Sequence, residues 1–125
     1  MRRGQAVVVL MTAATRAEAE RIATALVEER LAACVNLVAP IRSIYRWQGR
    51  VERAGEVLMI GKTRRALVAR LAARVRDLHG YDVPEVVALP VVAGSRPYLA
   101  WVDAETVPAR RAPRRSTGRT RRTRS

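Results

Sequence analysis

Six apolar residues follow one another from Ala6 to Met11, rich in β-branched valine and without three-and-four spacing. That run predicts a buried strand over 5–12. The next segment changes period. Thr15-Arg16-Ala17-Glu18 has the form of a capping box, in which a threonine accepts from a free backbone N–H and a glutamate reaches back. Ala19, Ile22, Ala23, Leu26 and Val27 then make one apolar stripe, with Glu20, Arg21, Glu28 and Arg30 left for water. A helix is predicted there.

From Ala33 the alternation shortens again. Cys34 to Val38 and Ser43 to Trp47 read as strand on either side of Pro40, which implies a bulge or an unpaired edge position. Gln48-Gly49 is a two-residue turn signal, and Val51 to Thr63 returns as an antiparallel partner. A second helix is predicted from about Arg64 to Leu78, with Thr63 as its cap and Leu67, Val68, Leu71, Val75 and Leu78 on one face. Val86 to Val92 is a fourth strand. Pro97 to Glu105 is a short closing helix with its proline at the first position.

The order strand, helix, strand, strand, helix, strand predicts an α+β fold. It is the ferredoxin-like βαββαβ arrangement, a four-stranded antiparallel sheet with two helices on one face plus the short C-terminal helix. Strands of thirteen to fifteen residues in the central hairpin exceed the usual five or six. So long a ribbon, ending in aromatic residues, leaves edges to be covered, and self-association covers them.

Composition changes this picture at one end only. The 125 residues carry a net charge of +13, but eight arginines and no acid lie between Val107 and Ser125, leaving +5 for the first 106. The arginine-rich stretch has too little apolar surface to offset the entropy of ordering it. The chain is therefore read as one domain over 1–106 and a disordered basic tail over 107–125. That tail suits non-specific contact with nucleic acid or an anionic surface through phosphate, or a purely solubilising role. No aromatic is interleaved to stack bases. The lone Cys34 rules out an internal disulfide, and as a strand residue it reads as core. The N-terminal apolar run is too short to span a bilayer. A cytoplasmic protein is expected.

Candidate chemistry concentrates in Leu78 to Pro90, which holds the single histidine, His79, beside Gly80, Tyr81, Asp82, Pro84 and Glu85. Gly80 and Pro84 shape the loop, and shaped loops are where function usually sits. No serine or cysteine stands with a histidine and a carboxylate at a recognisable spacing, and no glycine-rich phosphate loop or paired-histidine motif occurs. No enzyme is expected.

Leu31-Ala32-Ala33-Cys34-Val35-Asn36, Ser43-Ile44-Tyr45-Arg46-Trp47-Gln48-Gly49, Gly61-Lys62-Thr63, His79-Gly80-Tyr81-Asp82-Val83-Pro84-Glu85, Leu89-Pro90-Val91 and Tyr98-Leu99-Ala100-Trp101 appear in that order. Together these blocks resemble the CutA divalent-cation-tolerance proteins over roughly Ala6 to Thr106. The resemblance implies a ferredoxin-like protomer, a homotrimer built through the long hairpins, and a link to copper and other divalent metals. In copper-binding bacterial members the ligands are a cysteine ending the first strand and two adjacent histidines after the second helix. The matching positions here are Met11, Leu78 and His79. Leu78 has no donor atom, and Met11 offers a thioether suited to Cu(I) but poor for Zn(II) or Cu(II). His79 and Met11 are the metal candidates, with closure of the second helix as the plainer role for His79.

Tyr45 and Trp47 stand near the hairpin tip, as a platform for a flat ligand or, as the resemblance favours, as a trimer contact. Lys62, the single lysine, together with Tyr81 and Glu85 forms a candidate site for a small anion, by analogy with the ligand clefts of the PII signalling trimers. The sequence thus leads to a trimeric copper-binding or metal-responsive protein. A small-ligand signalling or scaffold trimer and a tail-borne nucleic-acid binder are the alternatives.

Overall fold

A computed structural model describes residues 5–107. Its elements are β1 (Ala6–Ala13), α1 (Arg16–Glu28), β2 (Cys34–Trp47), β3 (Arg50–Arg64), a 3₁₀ turn (Arg65–Leu67), α2 (Val68–Leu78), β4 (Val86–Pro90) and α3 (Arg96–Glu105). The strands lie in the order β2-β3-β1-β4 with every neighbouring pair antiparallel. This is a mixed α+β fold, a four-stranded antiparallel sheet with three helices, in the split βαβ order that the pattern predicts. Val107, counted with the tail above, donates its N–H to Arg30 O at 3.0 Å and packs against the core. The rest of the tail, 108–125, lies outside the described residues.

The core occupies one face of the sheet. Val7, Val9 and Met11 of β1 and Val57 and Met59 of β3 meet Ala19, Ile22 and Leu26 of α1 and Leu71 and Val75 of α2, all buried. Alternation sends Val8, Leu10, Leu58 and Ile60 to the other face, where they are half-buried. Val38, Val87 and Leu89 are more exposed still. The helices leave that second face apolar and largely uncovered.

Several local expectations shift. Val27 lies outside the buried stripe of α1 and is exposed. Thr63 does not cap α2, because β3 runs one residue further and a 3₁₀ turn precedes the helix. Its buried hydroxyl instead donates to Leu31 O at 2.7 Å, tying β3 to the end of α1. Ser95 caps α3, which begins at Arg96, so Pro97 takes the second helical position rather than the first. Cys34 opens β2 opposite Lys62 on the uncovered face and is half-buried, so it does not belong to the core cluster.

The central ribbon overhangs the sheet. Pairing of β1 with β3 ends at Ala13 opposite Val57, so β3 before Val57 has only β2 as a partner. The irregularity expected at Pro40 falls between Val38 and Ile41 and includes a cis Ala39–Pro40 bond. Gln48 and Gly49 form the tip with φ of 52° and 80°. Two consecutive positive φ values match the right-handed twist of the two strands, and Gly49 adopts its value at no steric cost.

Candidate functional site

The loop joining α2 to β4 is anchored from below by a single histidine. The backbone N–H of His79 still bonds to Val75 O at 2.8 Å, after which the chain turns extended. The His79 side chain is only 1% exposed. Its Nε2 lies 2.7 Å from the carbonyl of Thr12, and its Nδ1 accepts the Tyr81 N–H at 3.0 Å. A carbonyl can only accept, so the ring is the Nε2–H tautomer and both nitrogens are engaged. Glu18 supports the same loop. One carboxylate oxygen accepts Gly80 N–H at 2.7 Å and the other accepts Ala14 N–H at 3.1 Å, while Thr15 Oγ1 accepts Glu18 N–H. The capping box thus reaches back to Ala14. Burial pushes the Glu18 pKa up, but the Gly80 and Ala14 amides, with the Arg21 guanidinium nearby, outweigh that and leave it below the usual carboxylate value.

With its base fixed, the loop faces the overhanging ribbon across a cleft of about 680 Å³. Tyr45, Trp47 and Ser43 of β2, Glu56 of β3, Thr12 of β1 and Tyr81, Asp82 and Glu85 of the loop line it. Trp47 and Tyr45 are 48% and 44% exposed. Tyr81 crosses the gap and donates its hydroxyl to Glu56 Oε2 at 2.8 Å. Burial, the hydrogen bond to Glu56 and the charge of that carboxylate push the Tyr81 phenol up to about 12. It therefore remains a donor across the physiological range.

The cleft brings Tyr81, Glu85, Tyr45 and Trp47 together but leaves Lys62 out. Lys62 stands six residues along β3 from Glu56, roughly 20 Å at strand rise, and donates to Asn36 Oδ1 beside Cys34. Among the described residues no lysine or arginine lines the cleft. Glu56 is the residue that sequence reasoning missed. Its signal is an acid directly preceding the apolar run Val57 to Ile60, on the same alternation as Leu58 and Ile60.

The metal candidates do not form a ready site. Met11 is buried between Met59 and Val86 on the helix-covered face, its methyl close against Gly61. His79 would have to surrender either Thr12 or the Tyr81 amide to gain a lone pair for a metal. Among the described residues no group of three or more histidine, cysteine or acidic side chains is placed to hold an ion. As folded, these residues do not fit a copper ion.

Residues 7–105 match the family model described as CutA1 divalent ion tolerance protein. The chain belongs to this family. Among the CutA relatives, the divalent-cation tolerance protein of Thermus thermophilus is 52% identical over 99 residues, which is 79% of this chain and 96% of that protein. Human protein CutA is 56% identical over 84 residues, 67% of this chain but 47% of its own length. The chain thus spans nearly all of the bacterial CutA and about half of the human one. The solved structure of the Thermus thermophilus divalent cation tolerance protein superposes with a TM-score of 0.80 at 50% identity, covering 82% of this chain and 99% of that one. The CutA1 match takes in every element from β1 to α3.

Proposed function

We propose that this CutA1-family chain acts in the response to divalent cations as a homotrimer in the cytoplasm, without enzymatic activity of its own. The uncovered apolar face carries the reading. Leu10, Leu58, Ile60, Val87 and Leu89 line it. Exposed apolar surface on this scale marks an interaction site. Light scattering should report about 42 kDa, three times the 13.9 kDa chain mass. A stable monomer at micromolar concentration overturns the assembly. Restored growth of a copper-sensitive host expressing the chain tests the tolerance role, and no protection against any divalent cation overturns it. Fractionation of the native cells checks the compartment.

Copper is the first metal to test, but the hydrogen-bonded state of His79 argues against direct ligation by His79 and Met11. Titration with Cu(I), Cu(II) and Zn(II) should therefore give the same curves for the wild type and His79→Ala. Loss of a Cu(I)-selective site in the variant would restore the ligand role.

A second reading has a specific observation in its favour. The aromatic-walled cleft between ribbon and loop has the size of a small-ligand site. This supports a trimer that binds a small molecule near the hairpin, with metal response as the downstream effect.

A further inference from the structure

We propose that the cleft between the β2–β3 overhang and the 80–85 loop binds an organic ammonium ion, a protonated or quaternary amine of metabolite size. The inference rests on the small-ligand reading above and fixes the charge of the ligand. Three observations lead to it.

The first is a carboxylate with spare acceptor capacity at the cleft wall. Glu56 lines the cleft and is 8% exposed. Among the described residues its one hydrogen-bond donor is the neutral Tyr81 hydroxyl, and no cationic side chain reaches it. A carboxylate can accept about four hydrogen bonds, and its strongest partners are cationic donors. The Tyr81 hydroxyl takes one of them. A cation placed there supplies what the protein leaves out.

The second is the sign of the remaining lining. Asp82 and Glu85 add two carboxylates, and among the described residues no basic side chain lines the cleft with them. The small anion suggested by Lys62 is excluded from this cleft, because Lys62 is committed to Asn36 at the far end of β3.

The third is the wall material. Tyr45, Trp47 and Tyr81 line the same space. Aromatic faces attract organic cations through the ring quadrupole, and tryptophan does so best. A bare metal ion would gain little from such walls, and the acidic groups do not converge as a metal-ligand set. A volume of about 680 Å³ also exceeds what an ion needs and falls within the range of small-molecule sites. Carboxylate at the base, carboxylates at the rim and aromatic sides together select a carbon-bearing cation.

The test is calorimetric titration of the full-length protein, in the oligomeric state it adopts in solution, with choline, putrescine and spermidine. Citrate and Mg²⁺ serve as probes of the other two charge classes. At least one ammonium probe should bind saturably. Glu56→Gln, which keeps an oxygen for the Tyr81 hydroxyl, should weaken that binding by at least tenfold while the oligomer and far-ultraviolet spectrum stay unchanged. Trp47→Leu should weaken the quaternary probe more than the primary amines, since the quaternary ion depends most on the aromatic wall. Unchanged affinity in both variants overturns the assignment. Binding of citrate without any ammonium probe overturns the ligand's charge and leaves the small-ligand reading standing. Binding of Mg²⁺ alone overturns the organic nature of the cation. No response to any probe overturns both readings, and the cleft is then filled by a neighbouring subunit. Should Glu56→Gln fail to fold, Tyr81→Phe, which frees the same carboxylate from the phenol hydroxyl, should tighten ammonium binding; weaker or equal binding overturns the proposal.

Discussion

Glu18 shows how much one side chain can organise. Its two oxygens hold the amide before α1 and the amide that opens the loop, 66 positions apart in the chain. Glu18→Gln keeps one acceptor and loses the charge, which should destabilise the fold by about 1–2 kcal/mol at neutral pH. Because the folded-state pKa is below the ordinary value, this stabilisation is present above the usual carboxylate range and is lost as pH falls through the lower folded value. Acid unfolding monitored by circular dichroism should therefore show a steeper loss of stability through that range for the wild type, and Glu18→Gln should flatten that limb. Tyr81 acts at the opposite end of the scale. Its raised pKa gives stability that is complete below the ordinary phenol value and lost as pH rises toward about 12. Denaturation midpoints should fall across that interval for wild type and much less for Tyr81→Phe. The capping role of Glu18 was legible because Thr15 stands three residues before it. Its grip on Gly80 was not, since nothing local links two segments so far apart. His79 was legible as a helix-end residue, but the carbonyl of Thr12 that fixes its tautomer was not.

At the level of elements, the end of α1 is the instructive case. Leu31 N–H bonds to Leu26 O and Arg30 N–H to Val27 O, the two bonds of a Schellman closure. The left-handed position in that motif belongs to Arg30, with φ of 61°, where glycine is usual. The arginine is explained by what it reaches. Its guanidinium donates to Ala104 O at 2.8 Å and Glu105 O at 3.2 Å, sealing the last turn of α3. Arg30→Gly removes a backbone cost of roughly 1–2 kcal/mol but forfeits charge-assisted bonds of similar or greater size. The net effect should be near neutral to about 1 kcal/mol destabilising by urea titration, with α3 loosened selectively. Thr63→Val should cost more, about 1–3 kcal/mol, because it strands the buried Leu31 carbonyl. The strands and helices themselves were readable from period and turn residues, since each β-to-α change of spacing is local. The 3₁₀ turn and the true cap positions were not. Thr63 looks like a cap in sequence, yet the sheet and the Leu31 carbonyl claim it first.

The whole molecule has two unequal faces, and in the proposed trimer the uncovered one is the contact surface. Leu89→Asp places a charge on that face, beside Val8 and outside both the helical core and the cleft lining. It should shift light scattering from about three protomers toward one while leaving the protomer's secondary structure intact. Alternation along β1 and β3 made both faces apolar in sequence, but which face the helices would choose is decided only by packing. The cleft was half legible. Its loop and aromatics were visible as separate motifs, whereas Glu56 gains meaning only when the overhang brings β3 opposite Tyr81. One further consequence concerns synthesis rather than the finished fold. Arg30 finds its carbonyl partners, and Val107 its bond to Arg30, only among the last described residues. A nascent chain therefore carries Arg30 without its side-chain partners until some 75 more residues have left the ribosome, although the backbone bonds that close α1 are local. The corner after α1 closes on its own backbone first and docks α3 last, and a translational pause before Ala104 should leave the Arg30 side chain open to protease.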